Sequence, residues 1–291
     1  MNVRKAVIPA AGWGTRFLPV TKSVPKELLP IVDRPVIQFA VEEAAAAGIK
    51  DVVLVNSFTK RAIEDYFDRS FELERLLGGK GDHGRLAQVK AISELVNLAA
   101  VRQKEQLGLG HAILVAKALV GQEPFAVFLP DDIVEGPVSA IQQLLRVHQR
   151  YGRSVLAVRR VPDAEVGRYG IIGAQTVAER THRVTKLVEK PRLQDAPSNL
   201  AVIGRYILTP EVFGELERVK PGAIGEIQLT DGIAGLLATQ EVYAYEFEGT
   251  LYDGGTPLGL LKASVQVALK RPDTAADFRQ WLRELAKREL G

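Results

Sequence analysis

Three short apolar runs constrain the fold of this chain more than any other feature of its sequence. They are AVI at residues 6–8, DVVLVN at 51–56 and FAVFL at 125–129. Continuous β-branched or aromatic runs of this length are typical of strands that are covered on both faces. Because segments with a helical pattern separate the runs, the first half of the chain predicts a doubly wound α/β sheet.

The first apolar run leads directly into a glycine-rich loop. The stretch from Pro9 to Pro30 reads PAAGWGTRFLPVTKSVPKELLP. Its small residues let backbone N–H groups approach a ligand closely, and Arg16 and Lys26 bring two cations to the same loop. This composition predicts a polyphosphate-binding loop. The candidate nucleotide-binding residues within it are Ala10, Ala11, Gly12, Gly14 and Thr15.

Two well-known phosphate-binding motifs do not fit this loop. A dinucleotide-binding fingerprint requires a third glycine at the position of Phe17, and a P-loop requires Gly-Lys followed by Ser or Thr at the start of a helix. Pro19, Pro25 and Pro30 prevent a long helix from beginning directly after the glycines. We therefore expect loop amides and side-chain cations to hold the anion. The alternative is a tight turn that carries two solvated cations.

Charge and composition argue against several classes of protein. The 38 basic and 35 acidic residues are interspersed, and no long basic run indicates a nucleic acid partner. No apolar run is long enough for a membrane span, and the N-terminus leaves no room for a signal peptide before the first predicted strand. The chain has no cysteine and therefore no thiolate metal site. We expect a cytoplasmic protein that binds neither nucleic acid nor membrane.

The second half of the chain is rich in predicted strands, and helices dominate its end. No low-complexity linker divides the sequence, so we expect one large α/β domain over residues 1–268 and a helical extension over 269–291. The apolar stripe of the last helix predicts packing against the core, with packing against a partner subunit as the alternative. The predicted strands are 5–9, 51–56, 99–103, 125–129, 154–160, 169–173, 183–189, 200–208 and 242–247. The predicted helices are 35–48, most of 60–100, 112–120, 211–219, 228–240 and two from about residue 257.

Several separated motifs resemble those of one enzyme family, the nucleotidyltransferases that make nucleoside-diphosphate sugars. The sequence G-x-G-T-R followed by P-K-E-L-L-P-x-V-D-R-P carries the resemblance first. It continues in the same order through VRQ with GLGHA, LPDD, VEKP and YDG, and spans the chain from Lys5 to about Ala268. The form found here is most similar to the bacterial members of the family that use UTP and glucose 1-phosphate.

The resemblance implies a fold and an activity. It implies a Rossmann-like, glycosyltransferase-A-like fold, with a mostly parallel mixed sheet flanked by helices. Residues 1–135 would form the nucleotide-binding half and residues 136–268 the sugar-phosphate-binding half. The implied reaction is the Mg²⁺-dependent transfer of UMP from UTP to α-D-glucose 1-phosphate, which gives UDP-glucose and pyrophosphate. A homodimer or homotetramer is implied as well.

The resemblance also assigns the nucleotide and metal sites. Arg16 and Lys26 would contact the triphosphate and serve catalysis, and Asp131 and Asp253 would hold Mg²⁺, which favours one or two carboxylates together with substrate phosphates. Asp132 lies beside Asp131, so a shared or swapped role stays open. Gln103 would recognise uracil through its amide, which offers a donor and an acceptor. Gly108 would approach the same ring.

For the sugar phosphate the resemblance points to the motif VEKP and to nearby glycines. A carboxylate accepts hydrogen bonds from vicinal hydroxyls, and an adjacent ammonium can meet the phosphate. Neighbours on a strand point to opposite faces, so both groups reach one ligand only if the chain turns before the proline. The implied residues are Gly170, Glu189, Lys190, Asn199 and Gly204, with Lys190 also catalytic.

Two alternative functions stay open at this stage. One is a thymidylyltransferase that uses dTTP, since Trp13 departs from the smaller residue usual between the two glycines and leaves base selectivity open. The other is a non-catalytic paralogue that binds sugar nucleotides. The presence of Arg16, Lys26, Asp131, Lys190 and Asp253 favours turnover.

Overall fold

The computed structural model of the protein describes residues 3–222 and 225–289. The predicted domain and extension therefore include six residues outside the described part, namely 1–2, 223–224 and 290–291. The strands are β1 (Lys5–Pro9), β2 (Pro30–Ile31), β3 (Arg34–Pro35), β4 (Asp51–Asn56), β5 (Asn97–Arg102), β6 (Phe125–Phe128), β7 (Asp132–Glu135), β8 (Ser154–Arg160), β9 (Gly170–Ala178), β10 (Thr181–Glu189), β11 (Leu200–Leu208), β12 (Val242–Glu246) and β13 (Thr250–Asp253).

Helices flank these strands. They are α1 (Val36–Ala46), α2 (Ala62–Phe67), α3 (Phe71–Gly79), α4 (His83–Ser93), α5 (Leu109–Val115), α6 (Lys117–Val120), α7 (Ala140–Tyr151), α8 (Val212–Arg218), α9 (Leu229–Leu236), α10 (Pro257–Lys270) and α11 (Ala275–Glu289). No helix in the described ranges is long and apolar enough to cross a membrane.

A single large sheet joins the two predicted halves of the chain. Within the described residues it has nine strands in the order β5-β4-β1-β6-β11-β8-β12-β10-β9. The pairs from β5 to β6 are parallel, whereas β11 runs antiparallel to both β6 and β8. The predicted α/β class with a mixed, helix-flanked sheet is confirmed. Its second half is more antiparallel than predicted, because a short turn joins β9 directly to β10.

The apolar core lies on both faces of this sheet. Val7 packs in one buried cluster, while Ala6 and Ile8 pack in the cluster on the other side. The same alternation recurs in β4 and β6, since successive side chains of a strand point to opposite faces. The apolar runs are therefore buried strands, as their sequence predicts.

Several elements differ from the sequence-based prediction. The two-stranded ribbon of β7 and β13 was not predicted, because each strand is only four residues long and has an acidic residue at one or both ends. Helix α7 was not predicted either, although Ser139 and Gln142 form a capping box at its start. The helix predicted at 112–120 begins at Leu109 and consists of the two short helices α5 and α6. Strand β9 continues past its predicted end to Ala178.

The C-terminal helix covers less of the core than predicted. None of the described residues of α11 is fully buried, and 51% of the Trp281 side chain is exposed. Phe278 stacks on Trp281 at a centroid distance of 5.6 Å, so the apolar stripe packs largely on itself and on the neighbouring helix α10. The proposed boundary at residue 268 stays a prediction.

Candidate active site

Two adjoining cavities form a cleft at the carboxyl ends of β1 and β6. The first has a volume of about 580 Å³ and is lined by the glycine-rich loop. The second has a volume of about 290 Å³ and is lined by the start of β9, the end of β10 and the middle of β11. Leu109, Leu129 and Glu226 line both cavities. Open α/β sheets bind ligands at this edge, so the cleft is the candidate active site.

The glycine-rich loop presents unpaired backbone donors to the first cavity. Within the described residues, none of the backbone N–H groups from Ala11 to Thr15 has an intramolecular acceptor, and each of these five residues lines the cavity. Gly14 has φ +68°, a conformation that glycine adopts readily. Ala10 lies deeper, and its N–H is not free for a ligand because it donates to the Val55 carbonyl at 2.8 Å. The loop can therefore bind an anion through its amides.

Two cations of the same segment lie near these amides. The Lys26 Nζ donates to Asp131 Oδ2 at 2.6 Å. Burial alone would lower the pKa of Lys26, but the carboxylates of Asp131 and Glu27 outweigh it and raise that pKa. Arg16 is exposed at the rim of the loop, and its charge contributes to lowering the pKa of Asp131. The lysine is therefore a fixed cation, and Arg16 is an exposed one.

Asp131 and Asp253 approach each other across Gly255. A Cβ atom at this glycine would lie 2.9 Å from Asp131 Oδ2 and 3.1 Å from Asp253 Oδ1, so a side chain there would fill the gap between the two carboxylates. The ribbon of β7 and β13 brings these segments together, and the Gly254 N–H donates to the Asp131 carbonyl at 2.7 Å. Arg168 also lies 3.5 Å from Asp253 Oδ2.

This arrangement fits a hard divalent cation that is only partly coordinated by protein. The described residues contain no cluster of three or more acidic or histidine side chains suited to a metal. Two carboxylates that share a gap beside the glycine-rich loop match the preference of hard divalent cations such as Mg²⁺ for a few carboxylates together with other oxygen ligands. Asp131 and Asp253 are therefore the residues that could hold a divalent cation.

Asp132 faces the second cavity instead of the first. Its Oδ2 accepts a hydrogen bond from the Gly204 N–H at 2.7 Å. Burial and the neighbouring charge of Asp131 raise the pKa of Asp132 to about 6. Gly204 leaves room for this contact, since a Cβ atom there would lie 2.5 Å from the Leu129 Cβ and 2.7 Å from Asp132 Oδ2. The two neighbouring aspartates thus have different surroundings.

Gln103 lies at the base of the first cavity and is 5% exposed. Its Nε2 lies 3.1 Å from the Gly108 carbonyl and 3.0 Å from His111 Nδ1, so both amide hydrogens have acceptors within the protein. Gln103 Oε1 is then the atom left to contact a base. The sequence-based hypothesis was that the Gln103 amide offers a base both a donor and an acceptor. In the structure only the acceptor oxygen is left for a base, and it suits the N3–H group of uracil.

The second cavity gathers most of the predicted sugar-phosphate residues. Gly170, Glu189, Lys190 and Gly204 all line it. Lys190 has φ +43°, and this turn brings its Nζ within 3.2 Å of Glu189 Oε1, so both side chains face the same space. Asn199 is not among the residues that line this cavity, and its Oδ1 accepts a hydrogen bond from Arg160 Nη1 at 3.4 Å.

Three residues without an assigned role in the sequence-based site also shape the cleft. Glu226 lies in the sequence GEIQLTD at residues 225–231, which also matches the family resemblance and was expected either to cap and pack a helix or to contribute to the sugar pocket; it lines both cavities. Arg205 is 1% exposed and donates to the carbonyls of Leu129 and Asp132, on either side of Asp131. Lys60 is 5% exposed and contacts the glycine-rich loop from below. A sequence gives no sign that these two cations are buried, since exposed ones look the same.

Comparison with known proteins places this cleft in a family. The pattern of the nucleotidyl transferase family matches residues 5–270. A UTP–glucose-1-phosphate uridylyltransferase from Staphylococcus epidermidis is 50% identical over 98% of this chain and 99% of its own length. The counterpart from Staphylococcus haemolyticus is 51% identical over 98% of this chain and 99% of its own length.

Solved structures agree with these sequence matches. A UTP-bound UGPase from Acinetobacter baumannii has a TM-score of 0.90 and 42% identity, and the match covers 98% of this chain and all of that one. A UDP-glucose pyrophosphorylase complexed with UDP-glucose has a TM-score of 0.85 and 44% identity, with 93% of this chain and all of that one covered.

Proposed function

Because the chain belongs to the nucleotidyl transferase family, we propose that it transfers UMP from UTP to α-D-glucose 1-phosphate and releases pyrophosphate. The observation that carries this proposal is the two-part cleft, in which an amide-lined cavity adjoins a cavity with a carboxylate and an ammonium. The names of relatives at 50% and 51% identity support the choice of UTP and glucose 1-phosphate.

The first cavity would bind UTP. The free N–H groups from Ala11 to Thr15 would hold phosphate oxygens, and Lys26 and Arg16 would offset their charge. Gln103 Oε1 would accept the uracil N3–H, because the amide hydrogens already have acceptors. Gly108 has φ +92° and brings its backbone against the same space.

The second cavity would bind glucose 1-phosphate. The Glu189 carboxylate would accept hydrogen bonds from sugar hydroxyls, and the Lys190 ammonium would contact the phosphate. Gly170 and Gly204 keep the cavity open. Asn199 would act on the sugar only after exchanging its contact with Arg160, so we place it at the edge of this site.

The transfer itself would be a direct displacement at the α-phosphorus of UTP. An oxygen of the sugar phosphate forms the new O–P bond, and the bond to the bridging oxygen breaks, so pyrophosphate leaves with the electron pair. A phosphate monoester with a second pKa of about 6 is largely a dianion at neutral pH, so no residue must remove a proton. The protein contributes alignment and charge compensation.

Asp131 and Asp253 would hold Mg²⁺ in this reaction. When bound, the cation neutralises phosphate oxygens and stabilises the charge that develops on the departing pyrophosphate. The Lys26 ammonium lies 2.6 Å from Asp131 Oδ2 and keeps this carboxylate ionised. Lys26 holds the pKa of Asp131 below its usual range in spite of burial.

The predicted homodimer or homotetramer stays part of this proposal. Its support is the apolar surface of the last two helices, where Leu258, Leu261 and Trp281 have 61%, 61% and 51% of their surfaces exposed. Sedimentation velocity measures the mass directly. A monomer at micromolar concentration would contradict this part.

The experiment for the activity is pyrophosphate release with Mg²⁺ and glucose 1-phosphate, run in parallel with UTP and dTTP. We expect UDP-glucose as the product and a clear preference for UTP. Equal rates would show that the cavity does not discriminate between the two bases. The thymidylyltransferase activity would then be supported as well as the uridylyltransferase activity. Binding of UDP-glucose without any pyrophosphate release would contradict the proposed activity.

A further inference from the structure

One buried ammonium lies directly beneath the nucleotide-binding loop. Lys60 ends a short 3-10 helix that follows β4, and it is 5% exposed. Its Nζ donates to the carbonyls of Ala10 at 2.8 Å and Gly12 at 2.5 Å, and to the Glu27 carboxylate at 2.8 Å and 3.0 Å. The Lys60 ammonium thus connects the start of the glycine-rich loop, at Ala10 and Gly12, with Glu27 at the other end of the region that would bind UTP phosphates.

These contacts use the full donor capacity of the side chain. An ammonium group has three N–H donors, and Lys60 has acceptors on two loop carbonyls and one carboxylate. No donor remains for a substrate. Lys60 therefore does not act on the substrate directly, and any effect on the reaction must pass through the loop.

The direction of the loop peptides follows from these contacts. In a planar trans peptide, the carbonyl of one residue and the N–H of the next point in opposite directions. Because the carbonyls of Ala10 and Gly12 point down to Lys60, the N–H groups of Ala11 and Trp13 point away from it. Both residues line the first cavity, and neither N–H has an acceptor within the described part of the chain.

Glu27 extends the same arrangement to the neighbouring lysine. Glu27 is 1% exposed and pairs with Lys60, whereas the adjacent Lys26 extends to Asp131. The two side chains leave one short helix, Lys26–Leu28, in different directions. The buried pair therefore anchors the segment that carries the cation of the cleft.

We propose that Lys60 is a positioning residue that turns the amides of the glycine-rich loop toward the polyphosphate of the nucleotide. This inference rests on the proposed use of UTP. It predicts that Lys60 governs affinity for the triphosphate and has little influence on recognition of the base or of the sugar phosphate, since its contacts reach only the loop and Glu27.

The test compares the binding of UTP and UMP to the variant Lys60→Met by isothermal titration calorimetry. We expect UTP to bind at least about tenfold more weakly and UMP to change less than about threefold, because one lost charged hydrogen bond corresponds to roughly a tenfold change. The KM for glucose 1-phosphate is expected to stay within about threefold on the same scale. The matched control is Lys22→Met, which removes an exposed lysine from the same loop region. The control variant should bind UTP and UMP as tightly as the unaltered protein does.

A second variant separates loop positioning from loss of folding. Lys60→Met leaves Glu27 buried without its cation, and a buried charge without a partner is destabilising. The double variant Lys60→Met/Glu27→Gln removes that charge. We expect it to regain thermal stability while its UTP affinity stays low. Recovery of UTP affinity together with stability would overturn the inference.

The outcomes also separate this inference from the proposed function. If the unaltered protein releases pyrophosphate and Lys60→Met binds UTP normally, only the role of Lys60 is wrong. Equal weakening of UTP and UMP would likewise contradict a role specific to the polyphosphate. If the unaltered protein neither binds UTP nor releases pyrophosphate, the proposed function itself fails.

Discussion

Replacing Arg205 with methionine should destabilise the protein, because this side chain is buried beneath the loop that carries Asp131. The guanidinium is 1% exposed and pairs with Glu43 at 2.8 Å. It also donates to the carbonyls of Asp132 at 2.7 Å, Gly204 at 2.9 Å and Leu129 at 3.0 Å. Arg205 therefore lies beneath the loop that carries Asp131 and supports it.

The size of the effect follows from the burial of the pair. Removing one partner of a buried ion pair typically costs about 3–5 kcal/mol, because the other charge is left without compensation. The Glu43 Oε1 still accepts a hydrogen bond from the Ile141 N–H at 3.0 Å, which partly compensates its charge. We therefore expect Arg205→Met to lower the free energy of unfolding by about 4 kcal/mol.

Urea unfolding followed by circular dichroism measures this change, with Arg160→Met as the control. Arg160 pairs with Glu246 at 3.1 Å but has 59% of its side chain exposed, so its loss should cost less than about 1 kcal/mol. The double variant Arg205→Met/Glu43→Gln should recover part of the stability. A loss below about 1 kcal/mol for Arg205→Met would refute the argument.

Three further substitutions test individual parts of the cleft. Asp131→Asn should reduce turnover by at least about 100-fold while UTP still binds, because a positioned charge is lost; retained turnover would remove Asp131 from the metal site. Gln103→Glu should raise the KM for UTP about tenfold, since a carboxylate would face the Gly108 carbonyl, and an unchanged KM would count against base recognition by Gln103. Gly204→Ala should lower the free energy of unfolding by about 1–3 kcal/mol, because the added methyl overlaps Leu129; wild-type stability in urea would contradict this overlap.

The buried strands could be predicted from sequence because their signal is local. The run at residues 51–56 contains apolar β-branched residues on consecutive positions, and only a strand covered on both faces accommodates that pattern. The ribbon of β7 and β13 gave no such signal. Its stability depends on pairing between segments that lie more than 100 residues apart in the chain.

The candidate site was predictable in composition but not in geometry. The motifs selected Asp131 and Asp253, yet only the fold shows that both flank Gly255. Lys60 was assigned to the charged helical region, where lysines are usually exposed, and its acceptor Ala10 is 50 residues away in the sequence. Asn199 is the opposite case. A motif selected it for the sugar site, but in the structure its side chain contacts Arg160 outside the second cavity.

The central claim is that both cavities act together in one direct displacement on the nucleotide. Exchange of radiolabelled pyrophosphate into UTP tests this claim most directly, in a preparation that forms UDP-glucose when both substrates are present. We predict no exchange with UTP and Mg²⁺ alone, and rapid exchange once glucose 1-phosphate is added. Exchange without the sugar phosphate would reveal a uridylylated enzyme and contradict direct attack.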